Sequence, residues 1–229
     1  MGSKLIIALD FSTAEAALRF IRPLSPELCR LKIGFELFVA AGPDFVKKLV
    51  DSGFDIFLDL KFHDIPNTVA SACRSASSLG VWMINVHASG SDVMMRAAKQ
   101  ALIDCDSSTK IIAVTVLTSM DAHQLSKINI TNQPAEQVKY LAELTQQSGL
   151  DGVVCSAQEA TMLREHHGKD FLLVTPGIRP EGSQRGDQSR IMTPAQALEA
   201  GVSYIVVGRP ITQSNEPLKV IDKINVDMS

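Results

Sequence analysis

The chain has 229 residues, 45% of them apolar, and a formal net charge of −3. That length suits one large domain or two small ones with a sizeable core. The slight acidity and the lack of a basic block argue against a nucleic-acid surface, and no apolar run reaches the roughly 18 residues that a membrane span requires.

The first residues lead directly into Lys4-Leu5-Ile6-Ile7-Ala8-Leu9-Asp10. That run is too short for a signal peptide and lacks a cleavage site. Met1-Gly2 opens like an acylation signal, but Ile6 stands where Ser or Thr is required. Cys29, Cys73, Cys105 and Cys155 are scattered with no Cys-x-x-Cys pair. That usage speaks against a disulfide framework or a zinc site and fits a reducing cytoplasm, which is the expected location.

In chain order, β-rich runs alternate with longer amphipathic stretches. Strands are expected at about Leu5–Leu9, Arg30–Ile33, Ile56–Leu60, Trp82–Val86, Ile111–Val116, Gly152–Cys155, Phe171–Thr175 and Tyr204–Val207. Between them, helical periodicity marks Ala14–Ile21, Phe45–Ser52, Val69–Leu79, Val93–Ile103, Ala135–Ser148, Gln158–His166 and Pro194–Ala200, with a last helix over about Gln213–Ile224. Near-continuous apolar strands, each followed by a helix, imply a parallel sheet covered by helices. Eight such units at this length predict a single (β/α)8 TIM-barrel domain over residues 1–229, in the α/β class. An open doubly wound sheet fits less well, because no Gly-x-Gly-x-x-Gly follows the first strand.

Chemistry in a barrel sits at the C-terminal strand ends. Those ends carry Asp10, Lys32, Asp59 with Lys61, Asn85 with His87, Thr118-Ser119, Ser156, Pro176-Gly177-Ile178-Arg179-Pro180 and Gly208-Arg209. Together they describe one polar-lined pocket. The densest stretch is Asp59-Leu60-Lys61-Phe62-His63-Asp64-Ile65-Pro66-Asn67. Residues two apart on a strand share a face, so Asp59 and Lys61 point together, and Asp64 follows where Pro66 suits the first position of a helix. Buried charge is costly unless paired. An alternating carboxylate–ammonium–carboxylate cluster meets that condition and supplies a preset field for catalysis. The plainer alternative is an ion-paired strand end that only sets register.

Barrels often hold phosphate after strands seven and eight. Gly208 allows close backbone approach and Arg209 a bidentate grip. The polar loop Pro180-Glu181-Gly182-Ser183-Gln184-Arg185-Gly186-Asp187-Gln188 could act as a lid. The alternative is a surface loop with a solvated arginine. His123, His166 and His167 read as surface residues, His63 as a neighbour of the site or of a subunit contact, and His87 as a direct or indirect hydrogen-bonding group. Lys32 and Lys61 would oppose a cation, so no metal is expected.

Taken together, Ala8-Leu9-Asp10, Leu31-Lys32-Ile33-Gly34, Asp59 through Thr68, Val116-Leu117-Thr118-Ser119, Thr175 through Pro180, Gly186-Asp187-Gln188 and Val207-Gly208-Arg209 resemble the orotidine 5'-phosphate decarboxylase family over essentially the whole chain. The resemblance implies conversion of orotidine 5'-phosphate to uridine 5'-phosphate and CO2 in pyrimidine synthesis, without a cofactor, by a homodimer. It implies that Lys61 donates the proton to C6 and that Asp59 lies near the substrate carboxylate in a charged network with Lys32, Lys61 and Asp64. Asp64, Ile65 and Thr68 are expected to reach the partner subunit's site. Asp10 and Lys32 would bind ribose hydroxyls, and Thr118 the pyrimidine. Arg179, Gln188, Gly208 and Arg209 would hold the phosphate beneath the loop that contains Pro180.

Three rivals remain. Metal-dependent phosphosugar enzymes of the same superfamily are similar in Asp-x-Lys-x-x-Asp but typically carry a glutamate where this chain has Lys32. A Schiff-base aldolase needs a neutral lysine, whereas carboxylates beside Lys61 favour an ammonium. A silent nucleotide-binding barrel is disfavoured by the intact Asp59, Lys61 and Asp64.

Overall fold

The computed structural model describes residues 3–180 and 192–228. Alternation along the strands creates two apolar regions. Leu5, Ile7, Leu31, Ile33, Ile56 and Leu58 pack in the layer between strands and helices. Ile6, Ala8, Phe57, Met83, Ile112, Val174 and Val206 form a separate cluster inside the sheet. A strand buried on both faces in this way belongs to a closed parallel barrel.

Eight strands build it: β1 (Leu5–Ala8), β2 (Arg30–Ile33), β3 (Ile56–Phe62), β4 (Met83–His87), β5 (Lys110–Val114), β6 (Gly152–Val154), β7 (Leu172–Thr175) and β8 (Tyr204–Val207). Each pairs in parallel with the next, and β8 returns to β1 through Leu5↔Ile205 and Ile7↔Val207. The expected TIM barrel is therefore the observed fold. Outside it lie α1 (Ala14–Ile21), α2 (Phe35–Asp51), α3 (Pro66–Ser77), α4 (Ser91–Asp104), α5 (Ala122–Lys127), α6 (Pro134–Gln147), α7 (Ala160–His167), α8 (Pro194–Glu199), α9 (Arg209–Thr212) and α10 (Pro217–Asp227). Among the described residues, no helix is long and apolar enough to cross a membrane.

The helix after β2 differs most from expectation. It spans two helical segments that meet at a kink, where Gly42 (φ +72°, ψ −178°) leaves the helical conformation and Pro43 follows; the second segment contains the expected Phe45 stretch, and the first, from Phe35, was not expected. Phe35 and Val39 on its first half are exposed, which hides the amphipathic pattern. The expected last helix from about Gln213 begins instead, as α10, at Pro217, whose fixed φ suits a first helical position, and the short α9 precedes it.

The N-terminal end of the barrel is plugged by a buried cation. Arg30 at the start of β2 lies with its guanidinium carbon 4.5 Å from the Trp82 ring centroid and 5.1 Å from that of Tyr204. The two rings meet edge to face at 5.0 Å, and Arg30 Nε donates to Asp55 Oδ2 at 3.0 Å. Its Nη1 is buried with no hydrogen-bond partner among the described residues, so the ring faces carry part of its stabilisation. Arg30→Ala is expected to lower stability in urea unfolding by about 2–3 kcal/mol through lost stacking and packing, with turnover per folded molecule unchanged. A loss under about 0.5 kcal/mol, the range of ordinary surface substitutions, would show that the plug carries no weight.

Candidate active site

At the opposite end of the barrel, inward positions turn from apolar to charged. On β3, Phe57 is followed on the same face by Asp59 and Lys61; on β2, Arg30 is followed by Lys32. Asp59 is 8% exposed and accepts Lys61 Nζ at 2.6 Å on Oδ1 and Lys32 Nζ at 3.1 Å on Oδ2. Lys32 Nζ also lies 3.6 Å from Asp10 Oδ1, a mostly exposed carboxylate at the end of β1. Gly34 leaves room for this ammonium, since a Cβ there would lie 3.3 Å from Lys32 Nζ.

Burial is the largest influence on Asp59 and raises its carboxyl's pKa, but the Lys32 and Lys61 charges, with hydrogen bonds from Lys61 and Asn85, outweigh it and hold the group below the usual aspartate value. Two partly buried ammonium groups thus share one buried carboxylate, with the exposed Asp10 carboxylate beside Lys32. The carboxylates of Asp10, after β1, and Asp59, on β3, flank the ammonium of Lys32 on the intervening β2 rather than an open cation seat.

The local backbone is irregular. Register between β3 and β4 shifts between Leu58 and Phe62, and Lys61 has φ +45°, a left-handed conformation that costs an L-residue roughly 1–2 kcal/mol. Asn85 on β4, fully buried, accepts the Lys61 backbone N–H at 2.7 Å and donates from Nδ2 to Asp59 Oδ1 at 2.7 Å. The Phe35 ring centroid lies 5.3 Å from Lys61 Nζ. The His87 ring stands 5.5 Å from that of His63. Burial, then the His63 and Lys61 charges, hold His87 below the usual histidine value against the pull of Asp59.

These groups line a cavity of about 380 Å³, within the size range of small-molecule sites. Asp10, Lys32, Asp59 and Lys61 form one arc of its wall. Val114, Val116, Val154, Val174, Ile178 and Val206 form an apolar lining, with Leu117, Thr118 and Ser119 at the end of β5. Gly177, Arg179, Gly208 and Arg209 form a second, cationic arc after β7 and β8. Gly177 has φ +79°, a conformation that favours glycine. The Arg179 backbone N–H donates to Met192 O at 3.0 Å. The first arc pairs two ammonium groups with two carboxylates, and the second carries two guanidinium groups, so the cavity suits an elongated ligand with an anionic tail at the arginines and a reacting end beside Lys61.

The fold thus brings Asp10, Lys32, Asp59, Lys61, Thr118, Arg179, Gly208 and Arg209 to one cavity. Pro180 is buried beside Arg179 without lining it. Gln188 lies outside the described residues. Asp64, Ile65 and Thr68 are exposed around the start of α3 and are not part of this cavity's wall in the single chain. Asp64 accepts its neighbour's N–H, from Ile65, at 2.6 Å. Of the anticipated cluster of alternating charges, the chain by itself assembles Asp59 and Lys61 with Lys32, not Asp64. Asn85, expected among the polar strand ends of the pocket, does not line the cavity wall and instead bonds Asp59 and the Lys61 main chain behind it.

Since Asp59 has a lowered pKa in the fold, the stability it contributes is fully present above the unfolded value of about 3.9 and is lost as pH falls through the lower folded value. The stability of the native protein relative to Asp59→Asn, read by urea unfolding, is expected to hold constant from pH 8 to 5 and to decline below about pH 4. A decline centred between pH 5 and 7 would mean that the carboxyl is raised instead.

Residues 3–224 match the family model described as "Orotidine 5'-phosphate decarboxylase / HUMPS family". The chain is 58% identical over 227 residues to the orotidine 5'-phosphate decarboxylase of Pseudoalteromonas atlantica, covering 99% of this chain and 98% of that protein. It is 55% identical over 228 residues to that of Escherichia coli, covering 99% and 93%. The crystal structure of orotidine 5'-phosphate decarboxylase from Lactobacillus acidophilus superposes with a TM-score of 0.88 at 41% identity, covering 98% of each chain. A barrel with charged groups on β1 to β3 and arginines after β7 and β8 thus coincides with near-complete sequence similarity, and the chain belongs to the orotidine 5'-phosphate decarboxylase / HUMPS family.

Proposed function

We propose that the protein decarboxylates orotidine 5'-phosphate to uridine 5'-phosphate and CO2, a step of de novo pyrimidine biosynthesis, in the cytoplasm. The carrying observation is the Lys32–Asp59–Lys61 trio, with Lys61 Nζ 2.6 Å and Lys32 Nζ 3.1 Å from one buried carboxylate, facing an arginine-bearing arc across an apolar-walled cavity. Orotidine 5'-phosphate is an anion at both ends, with a carboxylate on C6 and a phosphate on the ribose.

Cleavage of the C6–carboxylate bond leaves the electron pair on C6 in the ring plane, where the π system does not delocalise it. Such a reaction asks for the upper part of the ~8–23 kcal/mol range of enzymatic barrier lowering. Lys61 supplies a fixed positive charge beside that carbon and then transfers a proton from Nζ to C6. CO2 departs, and the neutral amine regains a proton from solvent. An ammonium about 4 Å from a unit negative charge is worth roughly 4 kcal/mol at an effective dielectric of 20. That attraction grows as charge develops, so it favours the transition state over the bound substrate. Asp59 holds the ammonium in place and faces the leaving carboxylate. Asp10 and Lys32 take the ribose hydroxyls and Thr118 the pyrimidine. Arg179, Gly208 and Arg209, together with Gln188, take the phosphate, whose remote binding energy serves the reacting carbon.

The working unit in this proposal is a homodimer in which Asp64, Ile65 and Thr68 complete the partner's site. Support comes from exposed apolar side chains on consecutive βα units: Phe35 and Val39 on α2, Ile65 before α3 and Val93 on α4 are 55–82% exposed. A dimer would cover such a patch. The metal-dependent phosphosugar reading is disfavoured by Lys32, which puts an ammonium where that chemistry wants a further carboxylate.

The deciding experiment follows ultraviolet absorbance of orotidine 5'-phosphate with a chelator present throughout. Conversion to uridine 5'-phosphate is expected. Folded protein that leaves the spectrum unchanged, yet acts on 3-keto-gulonate 6-phosphate with magnesium, would overturn the reading. Arg209→Ala is expected to raise KM at least tenfold through the phosphate; an unchanged KM would remove Arg209 from that role. Lys61→Ala and Asp64→Asn are each expected to be nearly inactive. Mixed and allowed to exchange subunits, they should recover about a quarter of native activity, because half the dimers then hold one intact site. No recovery despite exchange would place Asp64 and Lys61 in the same subunit's site.

A further inference from the structure

We propose that Asn85 is a positioning residue for Lys61, one buried amide fixing both the backbone turn that carries the lysine and the carboxylate that receives its ammonium. The inference rests on the decarboxylase reading, in which the placement of Lys61 Nζ determines turnover.

Asn85 interrupts the apolar run Met83-Ile84-Asn85-Val86 on β4 and is 0% exposed. A buried amide is tolerated when its donor and its acceptor are both satisfied, and this one is. Nδ2 donates to Asp59 Oδ1 at 2.7 Å, and Oδ1 accepts the Lys61 N–H at 2.7 Å. The partners fix the orientation of the amide. An ionised carboxylate only accepts and a backbone N–H only donates, so flipping the side chain would lose both bonds.

The register shows why a side chain is used here. Leu58 pairs with Ile84 and Phe62 with Val86, so four residues of β3 advance against two of β4. Regular ladder bonding cannot run through such a bulge. Within it, Lys61 sits at φ +45°, and the Asn85 carbonyl takes its N–H in place of a strand carbonyl. The other end of the same amide grips the oxygen that Lys61 Nζ contacts at 2.6 Å. Asn85 therefore ties down Lys61 at its main chain and at its ammonium. The charged and titratable groups around it are Asp59, Lys61 and Lys32, with His63 and His87 at the ends of β3 and β4.

The test compares Asn85→Ala and Asn85→Asp with the native dimer, using orotidine 5'-phosphate turnover, uridine 5'-phosphate binding, and circular dichroism to confirm folding. Native turnover is the control: its absence would refute the decarboxylase reading rather than the role of Asn85. Asn85→Ala is expected to lower kcat by roughly 30-fold or more while KM and product affinity stay within about threefold, since misplacement of a catalytic group acts on the chemical step. Asn85→Asp sets a second carboxyl against Asp59. Its activity relative to native is expected to rise about tenfold or more from pH 8 to pH 5.5, as protonation restores a donor to Asp59. Native-like kcat in Asn85→Ala, or KM and product affinity weakened as much as kcat falls, would overturn the proposal. If Asn85→Ala fails to fold, the Asn85→Asp profile decides, and a profile parallel to native overturns it.

Discussion

One carboxylate, taken out of water and held between two ammonium groups, is the constraint on which the catalytic end of this barrel depends. Burial alone would favour the protonated form of Asp59, and isolated burial of an ion costs several kcal/mol. Two lysines from neighbouring strands and an amide from a third reverse that preference. Each partner needs a specific strand end: Lys32 from β2, Lys61 from the extended end of β3, Asn85 from β4. Parallel pairing sets Lys32 beside Phe57, and the register shift between β3 and β4 lets Asp59 and Lys61 both reach Asn85. The ammonium groups held in this way are the electrostatic resource of the site, and they sit over an apolar floor that includes Phe57 and Met83.

The remaining strands play a different part. Valines from β5 to β8 line the cavity without polar groups, so a flat ring can lie against them while the arginines after β7 and β8 attract an anionic tail. Reaction and anchoring are thus assigned to different arcs of the same rim. Variation after β7 and β8 changes how tightly a ligand is held with little effect on the charged trio, whereas the β2–β4 arc tolerates almost no displacement.

The period-two alternation in the strands and the spacing of charged residues at their ends made the barrel, the cavity and most of its polar lining readable before any coordinates. Asp59 and Lys61 were expected together from simple alternation, and they are together, although the strand between them is not regular. The bulge and the left-handed Lys61 left no trace in composition, because lysine is not a residue that advertises a positive φ. What Asn85 does was hidden for a related reason: its partners are a main-chain N–H and a side chain 26 positions away, and a single sequence does not reveal such pairings. The bend at Gly42-Pro43 concealed the first half of α2, where outward-facing Phe35 and Val39 obscure the periodicity. The position of Asp64 outside the charged trio follows from where the chain turns into α3, a matter of a few backbone angles.

Arg30, stacked against Trp82 and Tyr204 beneath the packed interior, has a consequence for traffic. With that end filled among the described residues, the cavity is a well rather than a tunnel, and its rim is the route for what enters and leaves. Nucleotide substrate, nucleotide product and carbon dioxide must share that doorway. A spent nucleotide that lingers there blocks its successor, so product and substrate compete for the same form of the protein. How long the phosphate grip persists after the chemistry is over then bears on throughput as directly as the chemistry does.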